Sequence, residues 1–180
     1  DEYHFRLGIY LSNSRYIAEF NKDQSKSFRI AHNKFSCYTP TEYKTLLGYI
    51  PSSTQSKRPE VQAKKSVSLP DSVDWREKNV VNAIKDQGHC GSCWAFSTCC
   101  TCETQYAIST GQLLSYSEQN LVDCVTLSYG CSGGNPRFAI EYVAWIQFGK
   151  FNSEEDYPYT ATDGTCSFDS SKGIGHVNSY

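Results

Sequence analysis

Gln87-Gly88-His89-Cys90-Gly91-Ser92-Cys93-Trp94-Ala95-Phe96-Ser97 is the stretch on which the reading of this 180-residue chain turns. Glycines at 88 and 91 make a turn that enters an apolar, helix-forming run. That register places Cys93 in the first turn of a helix, with Ser92 positioned to cap it. Unpaired backbone N–H groups and the positive end of the helix dipole meet there. Both favour the thiolate, the nucleophilic form of cysteine. The Cys93 N–H points where an oxyanion would form, and Gln87, six residues back, can swing its side-chain amide to the same place. Two donors aimed at one developing negative charge make an oxyanion hole. Cys90 and Cys93 also admit two plainer readings, a redox Cys-x-x-Cys pair or half of a zinc site. No second Cys-x-x-Cys at zinc-knuckle spacing follows, and either reading leaves Gln87 and Trp94 unexplained.

Composition sets the outer bounds. The length suits one domain or one and a half, and 14% aromatic residues suffice for a packed core. No apolar run is long enough to cross a bilayer, and no signal peptide opens the chain. Methionine is absent, so Asp1 is expected to follow a cut or a truncation. Nine cysteines suggest an oxidising compartment, and no Asn-x-Ser/Thr acceptor is present. Residues 1–70 carry eleven Lys and Arg against six Asp and Glu, whereas residues 71–180 carry six against thirteen. Such a split is compatible with nucleic-acid binding by the basic part, but mutual attraction of the two parts explains it more cheaply.

Gln-x-x-Cys-Gly-Ser-Cys-Trp resembles the nucleophile motif of the papain-like cysteine peptidases, in particular their cathepsin L-like branch. The resemblance implies an α+β papain-like fold. This chain would hold mostly the helical left lobe and a helical inhibitory propeptide, with the β-rich right lobe largely missing. It also implies a cysteine-type endopeptidase in zymogen form, with Cys93 as nucleophile and Gln87 as oxyanion donor. No cofactor and no metal are expected. The expected partners are polypeptide substrates and the chain's own propeptide in the cleft, with no nucleic acid, no membrane and a monomeric state. The expected location is a lysosome-like compartment or the extracellular space.

Upstream, Glu2, Arg6, Tyr10, Asn13, Ile17 and Asn21 recur at helical spacing and share one face of a polar helix over 2–21. Their pattern resembles the interspersed motif of the family's propeptide. Ala31-His32-Asn33-Lys34-Phe35-Ser36-Cys37 resembles its second motif through Asn33 and Phe35, with Cys37 where Asp is usual. Thr39-Pro40-Thr41-Glu42 reads as a capping box starting a short helix through Leu47. By the resemblance, the segment after it runs backwards through the cleft and so escapes cleavage. The expected domains are an inhibitory propeptide over 1–50, a Ser-, Lys- and Pro-rich linker and maturation region over 51–68, and the N-terminal half of the peptidase over 69–180. Cleavage is expected between Ala63 and Pro70; Lys64-Lys65 is either a processing site or a solvated charge pair.

Downstream, residues 93–109 continue as the central helix. Cys99, Cys100 and Cys102, unusual for the family, read as small buried residues; a metal cluster is disfavoured, since adjacent helical cysteines face different ways. Ser115-Tyr116-Ser117-Glu118-Gln119-Asn120-Leu121-Val122-Asp123-Cys124 reads as a Ser cap followed by a short helix and resembles cathepsin L-like sequence, with Tyr116 where Leu is usual. Gly133-Gly134 lets one backbone approach another. The resemblance makes Gly133 and Gly134 a substrate-binding strip, with Asn135 and Pro136 lining the next pocket. Asn135 also suits an N-cap, with Pro136 opening a helix to Phe148. Sequence alone allows many cysteine pairings; the family pattern implies Cys90–Cys131 and Cys124–Cys166, with Cys93 left free.

The chemistry needs a histidine beside the nucleophile and a residue to orient it. The family places these roughly 130–150 residues after the nucleophile, whereas 87 residues follow Cys93 here. His4 and His32 lie in the propeptide-like part, His89 in the nucleophile turn, and His176 in a stretch resembling the strand that enters the second domain. The chain alone is therefore expected to hydrolyse peptides negligibly, and strands around 172–180 are expected to lack pairing partners. An inactive homologue acting through its propeptide or cleft is the alternative, and a Cys-rich metal-binding module is a weaker third reading.

Overall fold

Asp1 accepts from the Tyr3 amide at 3.2 Å and starts α1, Glu2–Lys22. The computed structural model describes residues 1–52 and 70–178, and the chain divides into two units, Asp1–Leu46 and Leu47–Tyr180. The expected cleavage region and Lys64-Lys65 lie outside the described residues.

The first unit is organised by one polar face. No residue of α1 is buried, so hydrogen bonds and ring contacts rather than a buried apolar core hold the returning chain to it. The Arg6 guanidinium bonds Glu2, both oxygens of Glu42 and the Cys37 carbonyl. Asn13 donates to the Ser36 carbonyl at 2.9 Å. Asn21 exchanges two bonds with the Ile30 backbone. Tyr10 stacks on His32 with centroids 4.1 Å apart, and Phe35 meets Tyr38 and Tyr43 edge-on. Thr39 and Glu42 form the expected reciprocal capping box of α2, Pro40–Lys44. This helix ends three residues short of Leu47, because the Thr45 N–H already turns back to the Glu42 and Tyr43 carbonyls.

In the second unit α3, Cys93–Thr110, packs against α4, Glu118–Cys124, and α5, Pro136–Trp145. Its buried residues recur as 94/95, 98/99 and 102/103, the four-residue repeat of one helix face. Trp94, Ala95, Cys99, Leu121, Val122, Ala139, Val143 and Phe151 form the centre of the core. Cys99 and Cys102 are buried there as expected, but Cys100 is exposed, because the core face of α3 runs through 98/99 and 102/103 and leaves 100 on the outer side. Gly111, at φ 78°, ends α3. Asn135 caps α5 through the Arg137 amide. The helix stops at Trp145 rather than Phe148, and Phe148 and Gly149 turn the chain at positive φ.

The disulfides are Cys90–Cys131 and Cys124–Cys166, spanning 41 and 42 residues. Loop entropy gives each about 4 kcal/mol. No extended strand occurs among the described residues, only isolated bridges. One of these corrects the expectation for the C-terminal stretch: Ile174 does pair, antiparallel, with Phe151 through reciprocal bonds of 3.0 and 2.7 Å. The described residues are thus helix-rich and nearly free of strands, in line with the mostly helical lobe expected from the sequence.

Candidate active site

Cys93 is the first residue of α3 and is partly exposed. Ser92 occupies the N-cap position but makes no capping bond. Its hydroxyl lies 2.6 Å from the Tyr159 hydroxyl instead. The Ser92 carbonyl accepts from Ala95 and Phe96. Among the described residues, no acceptor faces the Cys93 or Trp94 N–H. The turn therefore ends in uncapped donors beside the thiol, which is what an anion needs.

Gln87 stands across the turn, its amide nitrogen 2.8 Å from the Cys90 carbonyl. Cys90 is bound to Cys131 and so is not a redox partner for Cys93. The same link is doubled by Gly91, whose N–H donates to the Cys131 carbonyl at 2.8 Å. It carries the nucleophile turn onto the glycine strip. Trp94 is buried, with its indole N–H on the Gly130 carbonyl at 3.1 Å. A Cβ on Gly134 would come within 2.7 Å of the Trp94 ring, so only glycine lets the strip lie this close.

Gly133 and Gly134 are brought beside the turn, and a segment of the chain lies on them. Gly134 donates to the Gly48 carbonyl at 2.7 Å and accepts from Ile50 at 2.8 Å, while the Tyr49–Gly134 bridge is parallel. The buried Asn135 donates its amide to the Ile50 carbonyl at 2.8 Å. Pro136 opens α5.

Five residues support this site without having been singled out by the sequence. Lys85 reaches Glu118 at 2.7 Å and Glu103 at 3.4 Å, both carboxylates being buried. Asn82 and the Tyr116 amide complete the coordination of Glu103. Burial pushes the Glu118 carboxyl up to about 7, outweighing the Lys85 bond. These contacts join positions 13 to 33 apart in sequence, so no local spacing signals them. Tyr159 touches both ends of the nucleophile turn.

His176 does not join Cys93. It lines a cavity of about 400 Å³ with Cys102, Gln105 and Tyr106 on the C-terminal half of α3. Nine residues of helix separate Cys102 from Cys93, about 14 Å along the axis. His4 and His32 belong to the first unit.

Residues 69–180 match the family described as Papain family cysteine protease, and residues 1–43 match the Cathepsin propeptide inhibitor domain. The chain is 42% identical to Digestive cysteine proteinase 1 of Homarus americanus, over 94% of this chain and 54% of that protein. It is 43% identical to Cysteine proteinase EP-B 1 of Hordeum vulgare, over 92% of this chain and 46% of that protein. Among solved structures it resembles digestive procathepsin L2 from Tenebrio molitor larval midgut, with a TM-score of 0.86, 34% identity, and 99% of this chain and 60% of that one covered. The chain thus spans about half the length of the curated relatives it matches.

Proposed function

Because this chain belongs to the papain family of cysteine proteases, we propose that it is the propeptide and nucleophile-bearing half of a cysteine endopeptidase made as a zymogen. The observation that carries this is the parallel seat of Gly48–Ile50 on Gly134, beside Cys93. A segment that pairs main chain to main chain with the strip occupies it as a substrate would. The parallel direction fits a segment lying backwards to the sense in which a substrate is cut.

In the mechanism, the Cys93 sulfur attacks the scissile carbonyl carbon, and the carbonyl oxygen becomes an oxyanion. The Cys93 N–H and the Gln87 amide receive that charge. A histidine then protonates the leaving amine, and water releases the acyl group from sulfur. The histidine and its orienting partner are proposed to come from the part of the relatives' length that this chain does not span. Asn135 presents its polar amide to Ile50 of the segment lying on the strip, so an apolar preference at the neighbouring substrate position does not follow. The maturation cut is proposed between Ala63 and Pro70, and the setting is a lysosome-like or extracellular one.

The test is peptide hydrolysis by the natural full-length protein after acid processing, with Cys93→Ala as control. Turnover that Cys93→Ala abolishes is expected, and turnover that survives it overturns the assignment. Alkylation of Cys93 without any hydrolysis would favour the inactive homologue acting by binding.

A further inference from the structure

Residues 87 and 92 bracket the nucleophile turn, and a side chain 67 residues away from Ser92 holds both ends. The Tyr159 hydroxyl donates to the Gln87 carbonyl at 2.8 Å. It also lies 2.6 Å from the Ser92 Oγ. A phenol has one proton. With that proton on Gln87, the Ser92 hydroxyl is the donor of the second bond. Ser92 is fully buried, and its hydroxyl is turned toward Tyr159 rather than toward the first-turn N–H groups that it would otherwise cap.

Tyr159 is itself held on three sides. Phe96 of α3 meets its ring edge-on at 4.8 Å. Its N–H donates to Glu154 at 2.9 Å. The next residue's N–H donates to the Gln119 side chain of α4 at 2.9 Å. Two residues before it, the Tyr157 carbonyl takes the Ser117 hydroxyl at 2.6 Å. A phenol anchored this way is a fixed point, not a mobile surface group.

We propose that Tyr159 is a positioning residue that sets the spacing of the two oxyanion donors, the Gln87 amide and the Cys93 N–H, by bonding both ends of the turn that carries them. This rests on the reading of Cys93 and Gln87 given above. Tyr159 does not touch the reacting atoms. It acts through Gln87 and Ser92, and a shift of either donor weakens the oxyanion site because such donors work only at fixed geometry.

The experiment compares two reagents on the natural full-length protein after acid processing. A peptidyl aldehyde adds to Cys93: the C–S bond forms as the C=O π bond breaks, and the oxygen takes the thiol proton. That oxygen sits on the oxyanion donors. Iodoacetamide alkylates the same sulfur by displacing iodide and forms no oxyanion. Tyr159→Phe keeps the ring and removes both bonds. It is expected to weaken aldehyde binding about tenfold while changing the alkylation rate by less than about twofold. A merely structural role would lower both together, and that result overturns the proposal. Ser92→Ala deletes one bond and keeps the phenol, and is expected to weaken aldehyde binding about threefold with alkylation unchanged. It decides the matter if Tyr159→Phe does not fold, and an unchanged aldehyde affinity in it then overturns the proposal. If the aldehyde fails to bind the wild-type protein, or binds Cys93→Ala equally well, the underlying reading of Cys93 fails. If it binds the wild type and Tyr159→Phe equally well, only the positioning role fails.

Discussion

Gly134 and Gly48 meet backbone to backbone, the amide of the first 2.7 Å from the carbonyl of the second. Neither tolerates a side chain. A Cβ on Gly48 would run into the Gly91 carbonyl, and one on Gly134 would lie 2.5 Å from the Ser128 hydroxyl and 2.7 Å from the Trp94 ring. Gly134→Ala should therefore cost about 1–3 kcal/mol by overpacking. It should also release Gly48–Ile50 from the strip. Thermal unfolding and limited proteolysis near Tyr49 would check both; an unshifted melting temperature would count against the packing argument.

The Glu118 carboxyl, raised to about 7 by burial, makes stability depend on pH in a defined sense. Between the usual carboxylate value near 4.5 and about 7, the folded protein holds a proton that the unfolded chain has released. The contribution is full below about pH 4.5 and is lost as pH rises through 7. Denaturant titrations across pH 4–8 should show this decline, and Glu118→Gln should flatten it. At pH 8, Lys85→Met should destabilise by about 3 kcal/mol, since it strands a buried charge. The loss should shrink as the pH falls and Glu118 takes up its proton.

The opposite sign holds in the first unit. Hydrogen bonds from Arg6, then from the Thr39 backbone and hydroxyl, hold the Glu42 carboxyl down to about 2. Its contribution is present above about pH 4.5 and lost as pH falls through 2. The pair is partly exposed to solvent, so screening keeps the effect small. Hydrogen exchange of α1 and α2 should rise in acid, and Glu42→Gln should remove the pH dependence of that rise.

Tyr116 is fully buried and stacks on Phe151 at 4.3 Å, yet its hydroxyl has no partner among the described residues. Removing an unsatisfied buried hydroxyl without changing the ring is expected to stabilise by about 1 kcal/mol. Tyr116→Phe should raise the unfolding midpoint, and a lowered midpoint would reveal a partner for the hydroxyl.

Native alkylation should separate the free thiols. Burial pushes Cys102 up to about 12 and Cys99 well above its ordinary value, so both should stay unmodified. Cys93 and the exposed Cys100 should be labelled. Peptide mapping by mass spectrometry reads the pattern directly. Labelling of Cys99 before Cys100 would contradict the buried core face of α3.

What could be read from the chain was local. Glycines at 88 and 91 followed by an apolar run placed Cys93 at a helix start. Thr39 with Glu42, and Asn135 with Pro136, marked helix starts within four residues of themselves. Such signals survive in sequence because caps and turns are satisfied by near neighbours. The family resemblance supplied the disulfide pairing, which spacing alone left open. Tertiary structure decided the rest. Ser92 has the chemistry of a cap and the position of one, but a phenol 67 residues on outcompetes the helix for its hydroxyl. Lys85, Glu103 and Glu118 converge only after α3 and α4 pack, and the shift at Glu118 exists only because that packing excludes water. Ile174 finds Phe151, and Gly48 finds Gly134, through backbone bonds that carry no side-chain signature. A chain announces the bonds it makes within a turn or two. Those that join distant segments depend on which surfaces have already been buried, and only the folded molecule holds that information.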